Sequence, residues 1–176
     1  MIETLISSKT RIKLLLKFFL NSNTSAYLRG LEEEFGESTN SIRIELNRFE
    51  KAGFISSYNQ ANKKIFKVNT EHPLFKDINS IVLKLVGLDH VIDYVLQRLG
   101  NLKEVYLVGN LSKGKDSHNI DLVLVGDINE AFLKDLIDKA EKKIHKTIHY
   151  IQYQESDFKI ELITSKDIHP LLLWRK

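Results

Sequence analysis

The sequence predicts an α+β fold laid out in three consecutive pieces: a helical segment closed by a β-hairpin over residues 1–70, linking helices over 71–100, and a small α/β domain over 101–176. Three observations predict it. Apolar side chains recur at three- and four-residue steps up to Phe49 and then give way to short β-prone runs. Two further helical stripes, ending at Gly87 and Gly100, fill the middle. Beyond them, runs of strand length at 105–108 and 120–125 precede one long helical segment and an alternating run at 148–153. A chain of 176 residues with 43% hydrophobic and 28% charged residues can bury one or two cores, so disorder is not expected.

Composition narrows the function classes. Without cysteine, disulfides and thiolate zinc or iron–sulfur sites are excluded. The apolar runs fall far short of the roughly 20 residues of a membrane helix, and no secretory signal is visible at the start, so a cytoplasmic protein without membrane contact is expected. The formal charge of +3 is unevenly spread: residues 1–70 carry 11 Lys and Arg against 7 Asp and Glu, and the remainder carries 15 against 16. An excess of this size is ordinary on surfaces and gains meaning only from the fold beneath it.

In chain order, Ile12, Leu15, Leu16, Phe19 and Leu20 form one helical stripe, with Ser7, Ser8 and Thr10 offering N-cap oxygens. A polar turn is expected at 21–25. Tyr27, Leu28, Leu31 and Phe35 make a short second helix that stops at Gly36. Ser38 or Thr39 can cap a third helix, which turns Ile42, Leu46 and Phe49 inward and ends at Gly53. The runs 54–58 and 64–69, joined by the polar stretch 59–63, read as a hairpin.

Three helices followed by a hairpin is the order of a winged helix-turn-helix. The stretch YLRGLEEEFGESTNSIRIELNRFEKAGFISSYNQANKKIFKVN, from Tyr27 to Asn69, resembles the DNA-binding core of the ArsR- and MarR-type bacterial regulators, most tellingly in L-x-x-F-x-x-A-G-F-I from Leu46 to Ile55. The resemblance implies that the third helix enters the major groove of double-stranded DNA while the hairpin touches the backbone or minor groove. Opposite the inward residues lie Asn40, Arg43, Ile44 and Asn47, with Thr39 and Ser41 at the helix start, where phosphates are favoured. Arginine can contact guanine bidentately, asparagine adenine, and isoleucine a thymine methyl. Lys63 and Lys64 are candidate phosphate contacts at the wing tip. The competing reading of these positions is a solvated helix face and a solvated lysine pair.

Pro73 can begin the first linking helix, with Leu74, Ile78, Ile81, Val82 and Leu85 along it, and Leu88, Val91, Ile92, Val95, Leu96 and Leu99 continue in a second. This apolar surface predicts a homodimer reading two half-sites, unless the helices only pack the chain's own domains.

In the third piece, a helix over 129–144 separates the second strand from the third. The stretch VGNLSKGKDSHNIDLVLVGD, from Val108 to Asp127, is similar to the signature of the polymerase-beta-type nucleotidyltransferases, in which Gly-Ser opens a helix and Asp-x-Asp follows on the next strand. HPLFKDINSIVLKLVGL, from His72 to Leu88, looks like the linker of bacterial fusions between this domain and a winged helix. The resemblance implies two magnesium ions held by neighbouring carboxylates. Here the triplet reads Asn119, Ile120, Asp121, so the first carboxylate is an amide. Asn110 replaces the serine after Gly109, and the later strand carries Thr147, His149 and Gln152 where a third acid is expected. Asp121, with Asn119, is the remnant of the catalytic set and a metal ligand only if the domain is active. Asp116 and Glu155 are loop carboxylates that stand in only if they converge on it. Gly109, Asn110 and Lys113, with Gly114 and Lys115, can still approach a phosphate, leaving a nucleotide as a ligand to be considered. His118, His145 and His149 have no recognised metal spacing. The tail from Pro170 through Leu171, Leu172 and Leu173 to Trp174 reads as a packing segment or a cover for a partner surface.

The expectation is therefore a DNA-binding transcriptional regulator whose nucleotidyltransferase-like domain serves assembly or ligand sensing, with no cofactor. The alternative is an active nucleotidyltransferase using Mg2+ and a nucleoside triphosphate to modify a protein or small molecule.

Overall fold

The computed structural model describes residues 4–164 and 170–176 and divides into two compact units, Met1–Val82 and Leu83–Lys176. In the first unit, α1 (Lys9–Leu15) starts where Ser8 Oγ accepts the amide of Arg11, the expected cap. It runs on as a wider π-helical turn over Leu16–Leu20, in which every residue is buried. Buried Lys17 pairs there with Glu34 at 2.9 Å. β1 (Ser25–Tyr27) leads into α2 (Leu28–Phe35), which ends at left-handed Gly36. α3 (Thr39–Lys51) is capped by Ser38, whose hydroxyl oxygen accepts the Ser41 amide at 3.2 Å. Ile42, Leu46 and Phe49 lie in the core with Leu14, Phe18, Phe19 and Leu31, as the spacing predicts.

β2 (Ile55–Gln60) and β3 (Lys63–Val68) form the hairpin, and the sheet order is β1-β3-β2, antiparallel throughout. The turn is tighter than the sequence predicts: Gln60 already pairs with Lys63, leaving only Ala61 and Asn62 between strands, with Ala61 at φ +51°. The polar turn expected at 21–25 is present, closed by the Thr24 amide donating to the Asn21 carbonyl at 3.0 Å, and β1 follows it directly, taking Ser25 and delaying the second helix to Leu28. Ser25 pairs with Lys67 and Tyr27 with Ile65, a strand too short to leave a periodic signature. α4 (Phe75–Val86) begins after Pro73 and fastens its first turns to this core, where Phe75 stacks on Phe19 at 5.8 Å and Asn79 Nδ2 donates to the Phe19 carbonyl at 2.6 Å. Leu74, just before α4, and Ile81 along it are about half exposed, at 50% and 51%.

In the second unit, α5 (Leu88–His90) continues through a π-helical turn, Val91–Val95, and a 3-10 turn, Leu96–Arg98. β4 (Leu102–Val108), α6 (Gly109–Ser112), β5 (Asn119–Gly126), α7 (Glu130–Ile144), β6 (Thr147–Tyr153) and β7 (Leu171–Arg175) follow. The sheet order is β6-β5-β4-β7, with β5 and β6 parallel and the other pairs antiparallel. Parallel neighbours need a crossover, and α7 supplies it, burying Leu133, Leu136, Ile137 and Ala140 at helical spacing. On β5, Ile120, Leu122 and Leu124 alternate with Asp121, Val123 and Val125. The latter set shares its face with Tyr106, against which Val108, Tyr153, Phe158 and Ile163 pack. The tail is a strand: residues 171–175 pair with β4, and Arg175 bonds Glu104 at 2.7 Å.

Candidate functional site

The base-reading candidates occupy one outward face of α3. Asn40, Ser41, Arg43, Ile44 and Asn47 are exposed, Ile44 at 44%, while Thr39 in the first turn is half-buried. The Ser41 hydroxyl also touches that of Ser38 at 2.9 Å, so its oxygen is tied to the cap. Arginines near this helix divide into two kinds. Buried Glu45 accepts Arg11 at 2.9 and 3.1 Å and Arg48 at 2.9 Å, which pins α1 to α3 and engages both guanidiniums while leaving the cluster one net positive charge. Burial alone pushes the Glu45 carboxyl up, and the Arg11 hydrogen bond with both positive charges outweighs it, so the group titrates below the ordinary range. Arg43, pointing away from this clamp, has no hydrogen bond or ion pair among the described residues.

The two wing lysines are not equivalent. Lys64 Nζ bonds Glu50 at 2.9 Å, and Ser57 donates a short hydrogen bond to the same carboxylate; the serine first, then Lys64, hold Glu50 below its ordinary value. Lys64 therefore spends part of its charge joining the hairpin to the end of α3. Lys63 is exposed and lies over the Tyr27 ring at 3.9 Å. Sequence reasoning missed the Glu45 and Glu50 ties, because an acidic residue on an amphipathic helix gives no sign of which distant cation it meets.

In the second unit, Gly109 opens α6 at φ +70°, and a Cβ there would come 2.2 Å from Asp121 Oδ2. Glycine is thus required by the closeness of Asp121 as well as by the backbone. Across the parallel pair, Asp121 lies opposite His149 and Asn119 opposite Thr147; His149 Nδ1 is 3.2 Å from Asp121 Oδ1. An imidazole thus takes the place beside Asp121 where a third carboxylate is expected. The loop acids point elsewhere: Asp116 lies 3.6 Å from Lys146, and Glu155 lies 3.8 Å from Lys103. Among the described residues no group of three His, Asp or Glu side chains can hold a metal ion. One carboxylate, one amide and one imidazole do not fit a pair of magnesium ions, which take oxygen ligands rich in negative charge. Asn110, Lys113, Gly114 and Lys115 stay together through backbone bonds from Lys113 and Lys115 to Asn110 O, at 3.0 and 3.1 Å.

Neither the family models nor the curated proteins give a match. Solved structures similar over about half of this chain include reduced HlyU from Vibrio cholerae, 12% identical with a TM-score of 0.38, over 48% of this chain and 83% of that one. A predicted DNA-binding transcriptional regulator from E. coli is 20% identical with a TM-score of 0.38, over 49% of this chain and 84% of its own. A protein from Archaeoglobus fulgidus is 14% identical with a TM-score of 0.39, over 48% and 97% respectively. Among the described residues no helix is long and apolar enough to cross a membrane.

Proposed function

We propose that the chain is a transcriptional regulator that reads duplex DNA through α3 and braces it with the wing, while its second unit contributes assembly or ligand sensing instead of nucleotidyl transfer. The observation that carries this reading is the division of labour on α3: Arg11 and Arg48 are both bonded to Glu45, whereas Asn40, Arg43, Ile44 and Asn47 form an exposed surface beside a hairpin tied to the same helix. Such a surface offers amide, guanidinium and apolar groups suited to base edges, on a rigid support. A second copy reading a second half-site fits the exposed Leu74 and Ile81 near and on α4.

The inactive reading of the second unit is supported by the donors around Asp121. Removal of one carboxylate by Asn119 and of another by the Thr147 and His149 strand leaves too little negative charge to hold two divalent cations. A nucleotide ligand without transfer stays compatible with the loop at Gly109 and Lys113. Calorimetric titration of a nucleoside triphosphate with and without Mg2+, repeated with Asp121→Ala, is expected to give no magnesium-dependent binding; tight magnesium-dependent binding lost in the variant would establish the enzyme reading instead.

DNA reading is tested by selecting duplexes from a random pool and measuring affinity for the enriched sequence. Arg43→Ala with Asn47→Ala is expected to erase discrimination between selected and random duplex, a loss of roughly 1–3 kcal/mol for each bidentate contact. Failure of the pool to enrich, or unchanged discrimination in the double variant, would overturn the assignment of α3.

A further inference from the structure

We propose that the outer edge of β6 is where a second copy of this chain pairs, the two β6 strands running antiparallel with Tyr150 at the centre and joining both four-stranded sheets into one. The inference rests on the assembly role read above for the second unit and names its surface; it makes no use of DNA. Among the described residues β6 ends the sheet, with β5 on one side and no strand on the other. Along such a strand successive backbone groups alternate in direction. Thr147 donates its amide inward, to the His118 carbonyl at 3.1 Å, and Ile148 donates outward, to the Glu141 carboxylate at 2.6 Å. Tyr150 and Gln152 share the parity of Ile148, so their amides and carbonyls line the outer edge.

Free edges are ordinarily guarded by lysine, proline or a bulge. Residues 147–153 contain no Lys, Arg, Asp, Glu or Pro, and the register of β6 on β5 is unbroken. Two features select a second copy as the occupant. First, the outward residues Ile148, Tyr150 and Gln152 are centred on the midpoint of the strand, so antiparallel copies set donor against acceptor. Tyr150 then faces its own counterpart, and each Gln152 amide meets the Ile148 carbonyl of the other copy, while the Ile148 amide stays with Glu141. Second, antiparallel order brings the basic start of each strand, His145 and Lys146, beside the acidic exit of the other, Glu155 and Asp157. Parallel order would set like charge against like. On the open face Ile151, 58% exposed, comes opposite His149 of the other copy. Because the same edge serves both copies, the contact closes on itself and yields a dimer, with α7 of each copy on one face of the joined sheet.

The test is sedimentation of the full chain over a concentration series, with Ile151→Lys, Tyr150→Pro and, since the chain has no cysteine, Tyr150→Cys. The unaltered chain is expected to form dimers. Ile151→Lys alters an exposed side chain and should weaken the dimer by about tenfold, through the two symmetric pairs with His149. Tyr150→Pro removes an outward amide that the ladder with β5 does not use, and should abolish the dimer. Under mild oxidation Tyr150→Cys should give a covalent dimer, whereas Phe132→Cys, at a 44% exposed position on α7, should not. Equal cross-linking at both positions, or a dimer whose affinity Ile151→Lys leaves unchanged, overturns the β6 pairing and leaves dimerisation through Leu74 and Ile81 standing. A chain that stays monomeric at every concentration overturns the pairing and the assembly reading together, and leaves the edge to an extended segment of another protein.

Discussion

Glu45 is 5% exposed yet charged, and it is tolerable in the core only because Arg11 and Arg48 both reach it. Glu45→Gln keeps the shape and removes the charge, leaving two guanidiniums without their counterion. A loss of roughly 1–3 kcal/mol from the first unit is expected by denaturant unfolding, less than for a wholly buried pair because Arg11 is partly solvated. The sign with pH follows from the lowered carboxyl: its contribution is complete above the ordinary glutamate value of 4.5 and is lost as pH falls through the lower folded value. The glutamine variant should lack that part of the acid dependence. At the other end of the chain, His145 caps α7 at φ +55°, a left-handed conformation that suits glycine better. His145→Gly is expected to stabilise the second unit by up to about 1 kcal/mol, measured as a higher melting temperature.

At the scale of elements, the helices of the first unit were legible because capping serines, inward apolar spacing and terminal glycines agreed. Ser8, Ser38 and Gly36 all act where their residue types place them. What was not legible came from partners far along the chain. β1 exists only because β3 offers it a ladder, and β7 only because β4 has a free edge. Of the candidate site, the outward face of α3 follows directly from helical spacing, while the ties of Glu45 to Arg11 and of Glu50 to Lys64 depend on partners 34 and 14 residues away. The sequence offers Gly109 and Lys113 for their approach to a phosphate, and the structure adds the steric reason for Gly109, its closeness to Asp121. Gly126 carries a harder constraint: at φ +143° a Cβ would lie 2.4 Å from the Asn101 carbonyl oxygen. Gly126→Ala should cost more than about 2 kcal/mol in the second unit, detectable as loss of its cooperative unfolding, because backbone and not a movable side chain obstructs the new atom.

For the whole molecule, the two units carry different electrostatic liabilities. Among the described residues, the carboxylates held below their ordinary values are Glu37, Glu45 and Glu50, all in the first unit. In the second unit, burial and then the Glu104 hydrogen bond push Tyr106 up. A raised tyrosine favours the folded state only while protonated, so that contribution falls as pH rises past the ordinary value of 10. Calorimetric scans are expected to show the first unit weakening preferentially toward acid and the second toward alkali; identical pH profiles for both transitions would contradict this division. β7 carries a different consequence, for handling and turnover. It covers the outer edge of β4, which otherwise presents a row of unpaired amides and carbonyls beside apolar Val105 and Leu107. Deleting residues 171–175 would strip that cover and leave β4 as a template for strand addition, so the truncated chain should scatter light in proportion to its concentration well before either unit melts.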